Sequence, residues 1–236
     1  QVDIFHLKAQ FNVSEVTLRK DLRYLENKNL LIRSRGGAMI SFKVGEDLSV
    51  KKRMVLNLDM KKSIAETAST LIKEGDTIIL DSGTTLMQLT NHLEKFRKLT
   101  VITNALDIAI KLSEFNNLKI IVPGGIFMKK SFSLVGVTSV ENFQMFRADK
   151  YFTSADGINA EGLFTSNLEE GQIAKIIMSN AKENIVLVDS SKFDRNGIIN
   201  FASLSKIHTL VTDKNIPKNY LNRFAELGIK VFIAGD

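Results

Sequence analysis

Residues 12–39 read NVSEVTLRKDLRYLENKNLLIRSRGGAM. Ser14 can cap a helix through its hydroxyl, and Val16, Leu18, Leu22 and Leu25 fall close to helical spacing. Residues 14–27 are therefore expected to form a helix with one buried stripe. Thr17, Arg19, Lys20 and Arg23 sit on or near the other side, where a DNA-reading helix needs phosphate anchors and donors to base edges. Apolar arms at 30–32 and 38–40 then flank Arg33, Ser34, Arg35, Gly36 and Gly37. The two glycines permit a tight turn, and the two arginines are expected to project from its tip towards DNA backbone or minor groove. A helix followed by a cationic hairpin is the second half of a winged helix-turn-helix. Its expected contacts with double-stranded DNA are Ser14, Thr17, Arg19, Lys20, Arg23, Arg33 and Arg35.

Working outward, residues 2–10 read as a short helix and 11–13 as the turn. Such a module packs on at least one further helix, expected ahead of Gln1, so the winged helix-turn-helix is expected to be incomplete with its first helix missing. The charge supports a separate module. Residues 1–56 carry 11 Lys and Arg against 6 Asp and Glu, net +5, whereas residues 57–236 carry 21 against 20, net +1. A pI of about 9.4 is thus a property of the front of the chain.

The chain has no cysteine, which excludes disulfides and thiolate zinc sites and makes the cytoplasm the expected location. His6, His92 and His208 lack metal-ligand spacing, so no metal and no cofactor are expected. Apolar runs such as 77–80 and 185–188 are too short to span a bilayer, and no signal-peptide pattern opens the chain. No membrane association is expected.

Residues 42–60 are polar, mixed in charge and weakly periodic, which suits a linker between a 1–41 DNA module and a 61–236 sensor-sized domain. From residue 61 helical and strand patterns alternate. Helices are expected at 61–73, 85–93, 105–112, 168–181 and 218–227, and strands at 77–80, 99–102, 118–122, 151–153, 184–188, 209–211 and 230–233. The expected class is α/β, a Rossmann-like, mostly parallel sheet with helices on both faces.

The strand runs end in Asp81-Ser82-Gly83-Thr84-Thr85, Thr103-Asn104, Pro123-Gly124-Gly125, Ser154-Ala155-Asp156-Gly157, Asp189-Ser190-Ser191-Lys192 and Thr212-Asp213-Lys214. In an open parallel sheet these carboxyl ends share one edge, so the loops should line a common crevice. Ser82, Thr84 and Thr85 offer hydroxyls, and Gly83 allows close backbone approach before a helix start, a combination suited to phosphate. Asp81, Asp156 and Glu170 could accept hydrogen bonds from sugar hydroxyls, and Lys192 could add a charged contact. The inventory fits a phosphorylated polyol.

With these residues in hand the chain resembles the DeoR family of bacterial transcriptional regulators over nearly its whole length. The front matches through Val13-Ser14, Thr17, Arg19, Asp21-Leu22, Leu25, Leu30 and Arg35-Gly36-Gly37-Ala38. The back matches through Asp81 to Thr85, Thr103-Asn104, Gly124-Gly125, Ser133-Leu134, Gly136, Asp156-Gly157, Leu168-Glu169-Glu170 and Asp189 to Phe193. The resemblance implies a repressor of sugar or nucleoside use that releases its operator when a phosphorylated sugar binds the C-terminal domain, itself similar in fold to ribose-5-phosphate isomerase. It also implies effector contacts at Asp81, Ser82, Gly83, Thr84, Thr85, Asn104, Gly124, Gly125, Asp156, Gly157, Glu170 and Lys192, no catalytic residues, and assembly as a homodimer or homotetramer. Two residues depart from the family pattern. Lys20 stands where arginine is common, losing the bidentate fork, and Gly171 stands where alanine is usual. The rival expectation is a phosphosugar isomerase, but residues 158–163, INAEGL, lack the lysine-and-glycine loop such an enzyme carries. A third is a non-specific nucleic-acid protein with no ligand response.

Overall fold

The computed structural model describes residues 2–27, 31–34, 37–40 and 50–235. The chain divides into two compact units, Gln1–Glu46 and Asp47–Asp236. In the first, the described elements are β1 (Val2–Asp3), α1 (Ile4–Phe11), α2 (Glu15–Asn27), β2 (Leu31–Ser34) and β3 (Gly37–Ile40). The strands form an antiparallel sheet in the order β1-β3-β2, with Ser34 opposite Gly37 and Val2 opposite Ala38. The helix expected over 2–10 therefore starts two residues late, because Val2 and Asp3 pair with β3 before the chain turns helical. Asp3 Oδ1 then caps α1 by accepting from the Phe5 amide at 2.7 Å. Asn12, at φ 50, ends that helix in the left-handed region, and Ser14 Oγ accepts from the Thr17 amide at 3.1 Å to start α2.

Ile4, Leu18 and Leu22 form this unit's buried cluster, with Leu7 and Val13 packed on it. Leu25 is half-buried, but Val16, expected in the same stripe, is 78% exposed. Two residues before Leu18, it lies roughly 200° round the helix from that position and cannot share its face.

The second unit's described elements begin with α3 (Val50–Val55), α4 (Leu58–Ser69), β4 (Thr77–Leu80), α5 (Thr84–Thr90), β5 (Leu99–Thr103), α6 (Leu106–Leu112) and β6 (Leu118–Ile121). The hairpin β7 (Ile126–Met128) and β8 (Ser133–Val135), α7 (Val137–Met145), β9 (Ala148–Thr153), β10 (Gly157–Asn159) and β11 (Gly162–Thr165) follow. The unit closes with α8 (Leu168–Asn180), β12 (Ala181–Leu187), β13 (Ile199–Ala202), β14 (Thr209–Asp213), α9 (Lys218–Glu226) and β15 (Lys230–Ala234). Of the residues expected as linker, 50–55 form α3 and 58–60 the start of α4, while 42–49 lie outside the described residues.

Seven strands form the main sheet in the order β15-β14-β12-β9-β4-β5-β6, every pairing parallel. In β4, TIIL, the three apolar residues after Thr77 are consecutive and buried because both faces of the sheet are covered. Ile78 and Leu80 point into one cluster with Ile64, Leu86 and Ile108 of α4, α5 and α6. Ile79 points into the other with Phe143, Ile173 and Phe224 of α7, α8 and α9. Each such side chain withdrawn from water contributes about 1.5–3 kcal/mol. Among the described residues no helix is long and apolar enough to cross a membrane.

The strand order locates the crevice. From β4 the chain moves outward through β5 and β6, then returns to β9 on the other side of β4. Connections thus leave β4 and β9 in opposite directions, which opens a gap beyond their carboxyl ends. The residues after β9 do not stay a loop: β10, β11 and β13 form a small antiparallel sheet of their own. Gly171 fits against this sheet, since a Cβ there would stand 3.2 Å from both Ile199 Cγ2 and Thr165 Cγ2.

Candidate functional site

In the first unit Thr17, Arg19, Lys20 and Arg23 are all exposed, and Ser14 is occupied as the cap of α2. Arg19 is held by Glu15, one turn earlier, through Nε at 2.8 Å and Nη2 at 2.6 Å. Arg33 lies in β2, its side chain outside what is described, and Arg35 lies outside the described residues.

At the gap between β4 and β9, Asp81 follows directly on β4. Its Oδ2 accepts from the hydroxyls of Tyr151 and of Thr153 (2.7 Å), both on β9, and its Oδ1 accepts from the Ser82 amide at 2.8 Å. Burial pushes the carboxyl above its usual range although all three donors pull the other way. Glu170 stands in the first turn of α8, fixed there because Asn167 Oδ1 accepts from its amide at 2.9 Å. It accepts from Ser133 Oγ at 3.2 Å, and Ser133 shares a 2.7 Å hydrogen bond with Ser131. Burial raises its carboxyl too, reinforced by the charges of Asp81 and Asp156. Asp156 accepts from the Ser166 amide at 2.9 Å and hydroxyl at 2.8 Å. Asn104, 2% exposed, donates to the Leu134 carbonyl at 3.1 Å, while its buried Oδ1 has no hydrogen-bond partner among the described residues.

The opposite charge comes from the turn after β12. Lys192 there has its ammonium destabilised by burial, which Asp156 and Asp189 oppose and Arg195 and Arg53 reinforce. Lys61 of α4 is 5% exposed and pulled down to about 8, by burial first and by the repulsion of Lys192 and Arg53. Among the described residues no group of three or more His, Cys, Asp or Glu side chains is placed to hold a metal.

The expected effector residues thus divide. Asp81, Asp156, Glu170 and Lys192 are linked by their fields, while Asn104 and Glu170 bond to neighbouring residues of β8, Leu134 and Ser133. Ser82 and Gly83 are half-buried beside Asp81, and Thr84 and Thr85 are buried at the start of α5. Gly125 and Gly157 are accounted for by packing. A Cβ on Gly125 would stand 2.8 Å from the Val135 carbonyl oxygen, and one on Gly157 2.4 Å from that of Arg195. Gly124, next to Thr138 and Asn142, is exposed. A cleft of about 450 Å³ between the β10–β11 turn and α9 holds none of the expected residues.

Tyr151, Thr153, Ser131, Arg53, Asn57 and Lys61 escaped the sequence reading. Tyr151 and Thr153 alternate along a strand, a signal that could have placed both at one end of β9 on the same face. Arg53 and Asn57 lie in the stretch read as linker, and Lys61, four residues further on, opens the helix expected over 61–73.

A model of the DeoR C-terminal sensor domain matches residues 56–214, and one of the DeoR-like helix-turn-helix domain matches 1–43. The chain is 32% identical to the putative aga operon transcriptional repressor of Escherichia coli O157:H7, over 100% of this chain and 88% of that protein. It is 35% identical to the lactose phosphotransferase system repressor of Lactococcus lactis subsp. lactis, over 95% and 89%. To the regulator GlpR of Haloferax volcanii it is 30% identical, over 95% and 88%. Among solved structures it is similar to ribose 5-phosphate isomerase A of Methanocaldococcus jannaschii, at 23% identity and a TM-score of 0.42, over 58% of this chain and 55% of that one.

Proposed function

The chain belongs to the DeoR family of transcriptional regulators, and from that premise we propose that it represses a carbohydrate or nucleoside operon and responds to a phosphorylated sugar bound beyond β4 and β9. Its family is one of regulators, not of isomerases. The observation that carries the effector reading is the pairing of unlike charges at the gap. Buried acceptors on Asp81, Glu170 and Asn104 suit sugar hydroxyls, and the under-compensated cations Lys61 and Lys192 suit a phosphate. Relatives named for the aga operon and the lactose phosphotransferase system support the class of operon.

DNA is read by α2 and the wing, with Thr17, Arg19, Lys20 and Arg23 on the exposed face. A reader of half-sites works as a pair, so the assembly is a homodimer or homotetramer on a symmetric operator, and effector binding shifts its populations. Light scattering of the purified chain tests the assembly.

The deciding experiment is a thermal-shift panel of hexose phosphates, pentose phosphates and glycerol phosphate against their unphosphorylated parents. A phosphorylated member at a hundred times its Kd stabilises the folded chain by about 2.7 kcal/mol, and its parent does not. Equal shifts from phosphorylated and parent sugars, or none from either, would overturn the effector reading.

A further inference from the structure

Arg53 stands over the same gap with its charge poorly matched. Its guanidinium faces Asp156 at 4.0 Å, well beyond the roughly 2.7–2.9 Å of a hydrogen-bonded arginine–carboxylate contact. Its Nε is buried without a hydrogen-bond partner among the described residues. Its field also reaches Asp107 at the start of α6, Lys61 on α4 and Lys192 after β12. A half-buried guanidinium with no carboxylate at hydrogen-bonding distance is costly to keep, and two further cations, Lys61 and Lys192, share its surroundings with Asp156 and Asp107.

The segment carrying Arg53 is fastened at two other points. Asn57 Nδ2 donates to Asp189 Oδ1 at 3.1 Å and to Ser191 Oγ at 3.3 Å, and Lys61 Nζ donates to the carbonyl of Arg53 itself. Arg53, Asn57 and Lys61 thus form a row from α3 into α4, laid on the loops that follow β9 and β12. In sequence this row is the stretch through which the second unit joins the chain of the first.

We propose that Arg53 is a contact for the anionic group of the effector, exchanging the Asp156 carboxylate for that group, and that the exchange tightens the row Arg53-Asn57-Lys61 and so reports occupancy to the segment leading to the DNA-reading unit. The inference rests on the effector reading above. An entering phosphate supplies the missing partner for Nε, neutralises the repulsion among Arg53, Lys61 and Lys192, and does so at α3 rather than deep in the sheet.

The test uses the full chain and whichever member of the sugar-phosphate panel raises its Tm most. Titration calorimetry of the wild type, Arg53→Gln and Arg53→Lys gives the affinities, and hydrogen exchange follows the amides of residues 50–61. Arg53→Gln is expected to bind at least tenfold more weakly. Arg53→Lys, which keeps the charge and the aliphatic stem and guards against a simple folding defect, is expected to fall between. The ligand should slow exchange over 50–61 in the wild type, and not in Arg53→Gln at matched occupancy. Affinity of Arg53→Gln within twofold of wild type, or exchange over 50–61 that ignores the ligand, overturns this inference and leaves the effector reading standing. If no panel member binds the wild type, both fall together.

Discussion

At Asp81 the fold buries a carboxylate and supplies three donors, two of them from the neighbouring strand. Tyr151→Phe removes one donor and leaves a buried acceptor short, so it should cost about 1–3 kcal/mol in a urea denaturation at pH 7. A change under about 0.5 kcal/mol would mean the phenol contributes little. Glu170 gives a test in pH. Its carboxyl titrates higher in the folded chain than in the unfolded one. Between those two values the folded state holds more protons, so this group lowers stability as pH rises through the window. Glu170→Gln removes that contribution. Relative to wild type the variant should therefore gain stability as pH rises above the ordinary glutamate range, and a difference independent of pH would show that the carboxyl is not raised.

At the scale of single elements, the junction of α3 and α4 turns on Asn57. It holds φ 53, ψ 34 and offers no cap to α4, its side chain going instead to Asp189 and Ser191. Asn57→Ala loses those bonds and meets the steric cost of a left-handed backbone, about 1–2 kcal/mol on its own. Asn57→Gly loses only the bonds, so glycine should be the milder substitution in denaturant titrations. The reverse order would place the strain elsewhere. On α2, the exposed Arg19 is bound to Glu15. Arg19→Ala should weaken binding to an operator duplex and lower the slope of log affinity against log salt by about one. Glu15→Gln, which frees the guanidinium, should strengthen binding. An unchanged slope in Arg19→Ala would remove that side chain from the phosphate contacts.

Over the whole molecule, the described residues of the two units form separate cores. Among them the first holds a cluster of Ile4, Leu18 and Leu22, and the second two large clusters on opposite faces of the main sheet. A unit as short as Gln1–Glu46 is marginally stable. Scanning calorimetry should accordingly resolve a weak early transition and a later main one, and a phosphorylated sugar should move the main one chiefly. A single transition would mean that the units melt together. Charge divides the same way, since nearly all of the net +6 lies before residue 57, so the salt dependence of DNA binding belongs to the front of the chain.

The periodicity of 77–80, 99–102 and 184–188, alternating with helical spacing, was enough to give the parallel sheet, and the small and polar residues at its strand ends pointed to one shared edge of it. Ser14, Leu18 and Leu22 likewise gave the reading helix, because capping and one-face burial are local and leave a spacing in the sequence. What needed the tertiary structure was which strands became neighbours. Sequence order does not put Tyr151 and Thr153 beside Asp81; only the return of β9 to the far side of β4 does, and it is that pairing which sets the burial of the carboxylate. Val16 left the stripe assigned to it for a local reason, its angle round the helix from Leu18, whereas the close backbone approach at Gly125 and Gly157 and the placing of Arg53 over the gap come from the tertiary structure. Element type follows from short-range spacing, whereas the charge balance of a site is fixed by contacts between residues up to 134 positions apart.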